Sequence, residues 1–74
     1  MKKLDITTET YDVGNGFRIE VVQEGNLFEA WIYHKDYGIK TLMFGAEDTK
    51  ENFMQLVETG LDEEMEYYEE EHMD

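Results

Sequence analysis

Residues 47–74, EDTKENFMQLVETGLDEEMEYYEEEHMD, decide the fold. Phe53, Leu56, Val57, Gly60, Leu61, Met65 and Tyr68 recur there at three- and four-residue steps, which places them on one stripe of a helix of period 3.6. That stripe is the expected docking face. The same stretch holds 12 of the 19 acids and a single base, Lys50, for a net charge of −11, whereas residues 1–46 come to only −2. The chain therefore reads as a nearly neutral β body carrying an intensely acidic helix.

Asp48 followed by Glu51 predicts a capping pair that starts the helix at Asp48 or Thr49, and acids in a first turn suit the positive end of the helix dipole. The helix is expected to run over about residues 48–71. Gly60 lies in its middle, where glycine costs about 1 kcal/mol relative to alanine. Two readings stay open. Gly60 either ends a first helix as a left-handed cap, with Asp62 starting a second, or sits in a continuous helix and lets a sheet approach closely. Unbroken over residues 49–71, the helix would be about 35 Å long and its final turns would project past a small sheet into solvent.

Upstream, residues of about 4–45 read as a sheet. Leu4–Val13 is rich in β-branched and aromatic residues. It ends in Gly14-Asn15-Gly16, a hairpin signal whose three-residue loop would set Val13 opposite Phe17 and Asp12 opposite Arg18. In the second strand Phe17, Ile19 and Val21 share a face. A Gly25-Asn26 turn of type II′ then pairs Val21 with Ala30, Ile19 with Ile32 and Phe17 with His34. Asp36-Tyr37-Gly38 makes the third turn. A three-residue loop there sends Leu42 and Phe44 to the core side and Ile39, Thr41 and Met43 to the Trp31 side; a one-residue slip reverses the two sets. The expected fold is α+β in one domain over residues 1–74, a four-stranded antiparallel β-meander with the helix packed on one face. Phe17, Ile19, Val21, Phe28, Ala30, Ile32, Leu42 and Phe44 would meet Phe53, Leu56, Val57 and Leu61. The second face is left with Val22, Leu27, Trp31 and Tyr33, open to Leu4 and Ile6, to a second copy or to a partner.

Composition narrows the function classes. A net charge of −13 argues against direct binding to nucleic acid or to an anionic membrane, and points to a basic protein surface as partner. There is no cysteine, hence no disulfide framework and no thiolate metal site, and an intracellular, cytoplasmic setting is expected. Met1-Lys2-Lys3-Leu4 opens like a leader but runs into Asp, Thr and Glu, and the longest apolar run, Ala30–Tyr33, is far short of the ~20 residues that span a bilayer.

Catalytic and cofactor signals are weak. The chain has no serine or cysteine nucleophile, His34 reads as a hydrogen-bonded structural residue, and Glu69 with His72 is half of a di-metal motif without its other half. No glycine-centred loop organises the acids for Ca²⁺, and no glycine motif cradles a phosphate. No enzyme activity, metal or cofactor is expected. Glu58, Asp62, Glu66 and Glu70 recur every four residues, about 6 Å apart, a spacing comparable to phosphates along a nucleic-acid strand. An acid run is ordinarily a solvated face, but here the acids are segregated from lysine instead of interspersed with it. Glu58, Asp62, Glu66, Glu69 and Glu70, with Trp31 and Tyr33 as apolar anchors, are the expected partner-binding residues. In size and charge the chain is similar, at the level of class, to nucleic-acid-mimicking inhibitors of phages and mobile elements, such as anti-CRISPR and anti-restriction proteins. That resemblance implies a nucleic-acid-binding partner. The alternative is a small structural domain that homodimerises through the Trp31/Tyr33 face.

Overall fold

A computed structural model describes residues 5–73; the readings that fall on residues 1–4 and 74, including any packing of Leu4, lie outside them. Strands β1 (Ile6–Gly14), β2 (Phe17–Glu24), β3 (Leu27–His34) and β4 (Thr41–Glu47) form one antiparallel sheet in the order β1-β2-β3-β4. Helix α1 (Lys50–His72) packs on one face of it, so the fold is α+β as expected.

The β2–β3 register is the expected one, with Val21 opposite Ala30, Ile19 opposite Ile32 and Phe17 opposite His34. In the first hairpin Asp12 faces Arg18, as expected, with an ion pair at 3.3 Å. Gly14, not Val13, stands opposite Phe17. Gly14, Asn15 and Gly16 all take positive φ (94°, 56° and 85°), so the chain closes tightly enough to bring Gly14 back into the pairing. Val13 becomes the extra residue of a bulge and turns onto the core.

Strand β4 departs further. The His34 carbonyl accepts from both the Tyr37 and Gly38 amides, at 3.1 and 2.9 Å, and the chain rejoins the sheet only at Thr41, opposite Ile32. That is one residue out of the expected register. A bulge between Leu42 and Phe44 takes up the slip, so Phe44 faces Ala30 on the core side as expected. Leu42 instead lies opposite Trp31 on the open face, 46% exposed, while Met43 and Thr41 move to the helix side and Ile39 precedes the strand.

The core is Phe17, Ile19, Val21, Phe28, Ala30 and Ile32 from the sheet against Phe53, Val57 and Tyr68 from the helix. Phe53 stacks on Phe28 at 5.0 Å and tilts against Phe44 at 4.9 Å. Steps of four through Phe53, Val57, Leu61 and Met65, then of three to Tyr68, keep one row under the sheet. Leu56, expected in that row, is a 100° step from Val57 and is 50% exposed. The helix cap also differs in detail. Thr49 is the N-cap, its side chain accepting from the Asn52 amide at 3.3 Å, while Asp48 steadies it through the Thr49 amide and the Asn52 side chain.

Helix α1 is continuous through Gly60, and a Cβ built there meets nothing within 4 Å. The reading of Gly60 as a break is therefore corrected; of the other reading, the continuous helix holds and the close approach of the sheet does not. The last turns do not project into solvent either. Tyr68 is 2% exposed, meets Phe17 edge-on and donates its hydroxyl to the Ile39 carbonyl at 2.6 Å. His72 Nε2 lies 3.4 Å from Thr41 Oγ1, and Met73 packs on the core. The β3–β4 connection thus lengthens the platform beyond the strands. The thinnest dimension, 18 Å, accommodates one sheet and one helix and no third layer.

His34 is buried and plays the structural part expected of it. Its Nδ1 accepts from the Asp36 amide at 3.2 Å, which leaves the proton on Nε2 for the Asn15 carbonyl at 3.1 Å. The imidazole so clamps the first hairpin to the third turn.

Candidate functional site

Because one row of α1 is pinned to the sheet, the acids fall on what is left. Glu58, Asp62, Glu66, Glu69 and Glu70 are all exposed, and none has an ion-pair partner among the described residues. Each four-residue step rotates by 400°, so the Glu58–Asp62–Glu66–Glu70 row drifts about 40° per step across the outward surface. It is a diagonal stripe. It starts beside the sheet at Glu58 and crosses the solvent pole near Glu66.

The bases are elsewhere. Arg18 pairs with Asp12, Lys40 with Glu20 at 2.6 Å, and Lys50 with Glu9, so three of them are engaged by acids of the sheet. The Lys50 hydrogen bond, supplemented by one from Tyr11, holds the Glu9 carboxyl below its ordinary value, and Lys50 is raised in turn. The C-terminal helix has no lysine or arginine after Lys50 to offset its charge. Partial burial, and then Glu63 and Glu71, raise the Glu64 carboxyl. A hydrogen bond to Glu63 at 2.8 Å, and that carboxylate's charge, raise the Tyr67 hydroxyl.

Where Glu58 meets the sheet there is a cleft of about 220 Å³, lined by Tyr11, Val13 and Ile19 on one wall and Met54, Val57 and Leu61 on the other, with Asp12 and Glu58 beside them. It exists because Val13 is turned inward by its bulge while α1 runs closest to β3 and β4, leaving the edge strand β1 partly uncovered. Alternation along β1 and the helical stripe each mark these residues as apolar. The gap between the two rows has no sequence signal, because it depends on where the helix axis settles.

Trp31 and Tyr33, expected as anchors for the same partner, are half-buried on the other face of the sheet, opposite Glu20 and Arg18. The structure thus brings the five acids together and separates them from the two aromatics by the whole sheet. Lys40 reaches over the Tyr33 ring, 5.5 Å from its centroid, to bond Glu20. Leu27 (53%) and Leu42 flank this face in the open, near a second and larger depression of about 450 Å³ whose lining includes Ile6, Val22, Leu27 and Gly45. Among the described residues no group of His, Asp and Glu could hold a metal ion, and no helix is long and apolar enough to cross a membrane. No protein family, curated protein or solved structure matches the chain.

Proposed function

We propose that this chain is a non-enzymatic protein-binding module whose acidic helix engages a basic surface on a partner, one that itself binds nucleic acid, so that the helix occupies the place of a phosphate backbone. The observation that carries the reading is the segregation of charge. Five exposed acids on α1 stand without an ion-pair partner among the described residues, while Arg18, Lys40 and Lys50 pair with acids of the sheet. Ordinary soluble surfaces carry both signs of charge interspersed, and this helix after Lys50 does not. A stripe of one sign is what attracts and orients a basic partner.

The test is capture on the immobilised protein, comparing the native chain with the Glu58→Gln, Asp62→Gln, Glu66→Gln, Glu70→Gln variant. The native chain should retain a basic nucleic-acid-binding protein that the variant does not, and added duplex DNA or moderate salt should release it. Retention of the same proteins by both chains would reduce the acids to a solvated face.

The exposed Leu27 and Leu42 beside Trp31 favour a second reading, a homodimer through the open sheet face. Light scattering decides it. A dimer insensitive to salt and abolished by Trp31→Ala supports that reading, and a monomer at high concentration excludes it.

A further inference from the structure

We infer that the cleft between β1 and α1 accepts an extended basic peptide of the partner, which adds to β1 as a fifth strand and lowers an apolar side chain between Tyr11, Val13, Met54 and Leu61. The inference deepens the proposed function and rests on its basic partner. Three observations of different kinds carry it.

The first is the edge. Among the described residues β1 pairs with β2 alone, and its register is unbroken from Ile6 to Asp12, so one side of its backbone is a row of amide and carbonyl groups with no strand partner there. Sheets ordinarily blunt such an edge with lysine, proline, a bulge or shortness. β1 has no lysine or proline, is the longest strand at nine residues, and carries its bulge only at the hairpin end. The other edge, β4, is seven residues long with a bulge in the middle at Met43. Among the described residues β1 is the more open template of the two edges, its one inward-facing charge, Glu9, being neutralised by Lys50.

The second is the cleft itself. A strand added to β1 would alternate its side chains between the two faces of the sheet. Those on the helix side would enter the space beside Tyr11 and Val13 that α1 leaves uncovered. An edge strand with a helix lying alongside gives a guest both main-chain hydrogen bonds and a side-chain pocket, which is how β-strand addition combines affinity with specificity.

The third is charge. Glu58 borders the cleft and Asp62 follows it one helical turn on, while Asp12, also on the rim, is already paired with Arg18. Glu9 is occupied by Lys50 at the opposite end. A basic guest is thus drawn to the Glu58 end, where no lysine or arginine of α1 competes for the acids. A second copy of this chain is the wrong occupant of this cleft, since pairing through β1 would set its own acidic helix against Glu58 and Asp62.

The probe is the amidated, fluorescein-labelled peptide Lys-Thr-Leu-Thr-Arg-Thr-Lys, whose Leu and bases share one face, titrated by anisotropy with the full chain. It is compared with a block isomer of the same composition and with two isomers N-methylated on alternate residues, one for each backbone edge. Strand addition predicts that one N-methyl isomer and the block isomer bind at least about tenfold more weakly, while the other N-methyl isomer retains affinity. Amide shifts should concentrate in residues 6–13 and 54–61. Glu58→Gln with Asp62→Gln should weaken every peptide yet keep the ratio between the two N-methyl isomers. Equal binding of all four peptides, or none at millimolar peptide in low salt, overturns the inference. So does self-association that shifts the β1 amides without peptide. Equal binding that the Gln variant abolishes removes the cleft but keeps the acidic helix as a basic-partner surface. Isomer discrimination by a chain whose captured partner is not released by DNA keeps the cleft and removes the nucleic-acid mimicry.

Discussion

Substituting Gly60 by alanine should stabilise this protein. Gly60 sits in the interior of a 23-residue helix, outside the positive-φ set, and an added methyl group would meet nothing within 4 Å. Neither strain nor clash opposes the change. With no neighbour within contact distance the methyl gains no packing either, so the whole effect is helix propensity, about 0.8–1 kcal/mol. In a domain of this size that raises Tm by about 4–8 °C per kcal/mol. In urea, with a slope near 1 kcal/mol/M for a small chain, the midpoint should rise by about 0.8–1 M at unchanged slope. Far-UV circular dichroism reads both, and helix content should stay level or rise. A destabilised variant would refute the reasoning. If Gly60 were a left-handed cap, alanine would cost about 1–2 kcal/mol, with the sign reversed. If Gly60 admitted a close sheet approach, the Cβ would overpack. A change in slope would mean that the variant altered the unfolded ensemble, and the propensity argument would fail in another way.

Three further outcomes are expected. Gly16→Ala should be far more damaging than Gly14→Ala: both have positive φ, but a Cβ at Gly16 falls into the His34 imidazole, 2.8 Å from Cε1, while at Gly14 it meets open space. Chemical denaturation should show a loss of about 1–2 kcal/mol for the Gly14 variant and more for the Gly16 variant. Tyr68→Phe removes the hydroxyl that holds the Ile39 carbonyl; Ile39 is exposed, so water can replace it, and the loss should be about 1 kcal/mol with the fold retained. Glu64 has a raised carboxyl in the folded chain, so the unfolded chain releases its proton first as pH rises above the ordinary 4.5. Stability then falls across the interval up to the raised value, and Glu64→Gln should remove that part of the slope in urea titrations between pH 4 and 7.

The elements themselves were legible because each rests on local chemistry. Gly-Asn-Gly, Gly-Asn and Tyr-Gly mark the turns, period two marks the strands, and the Phe53-to-Tyr68 row marks the helix. What was not legible depends on relations between elements. Leu42 and Met43 exchanged faces because the His34 carbonyl captures two amides of the following turn, which no count of turn residues reveals. Leu56 is as apolar as Leu61, yet it lies 100° from Val57, and with Phe53, Val57 and Tyr68 buried it falls on the outward side. For the candidate site, the five acids were readable as one surface, since helix geometry alone groups them. That Trp31 and Tyr33 face the other way was implicit in their alternation with Ile32. The cleft beside β1 had no precursor in either pattern.

The distribution of charge bears on why α1 is built this way. The row from Glu58 to Glu70 contains three like-charged pairs at four-residue spacing, each costing a few tenths of a kcal/mol, and Gly60 adds about 1 kcal/mol. Together these approach 2 kcal/mol, a large share of the stability expected of so small a domain. Lysines within the row and alanine at position 60 would remove the whole burden without touching the Phe53, Val57 and Tyr68 contacts that dock the helix. A helix selected for stability alone has ready access to those changes. Retaining one sign of charge along its outward surface, while lysines and an arginine serve the sheet, is the pattern expected where the charge itself is used. The two explanations part on one comparison: replacing the row with alternating Glu and Lys should stabilise the fold in both, and should abolish partner capture only if the acids are the contact.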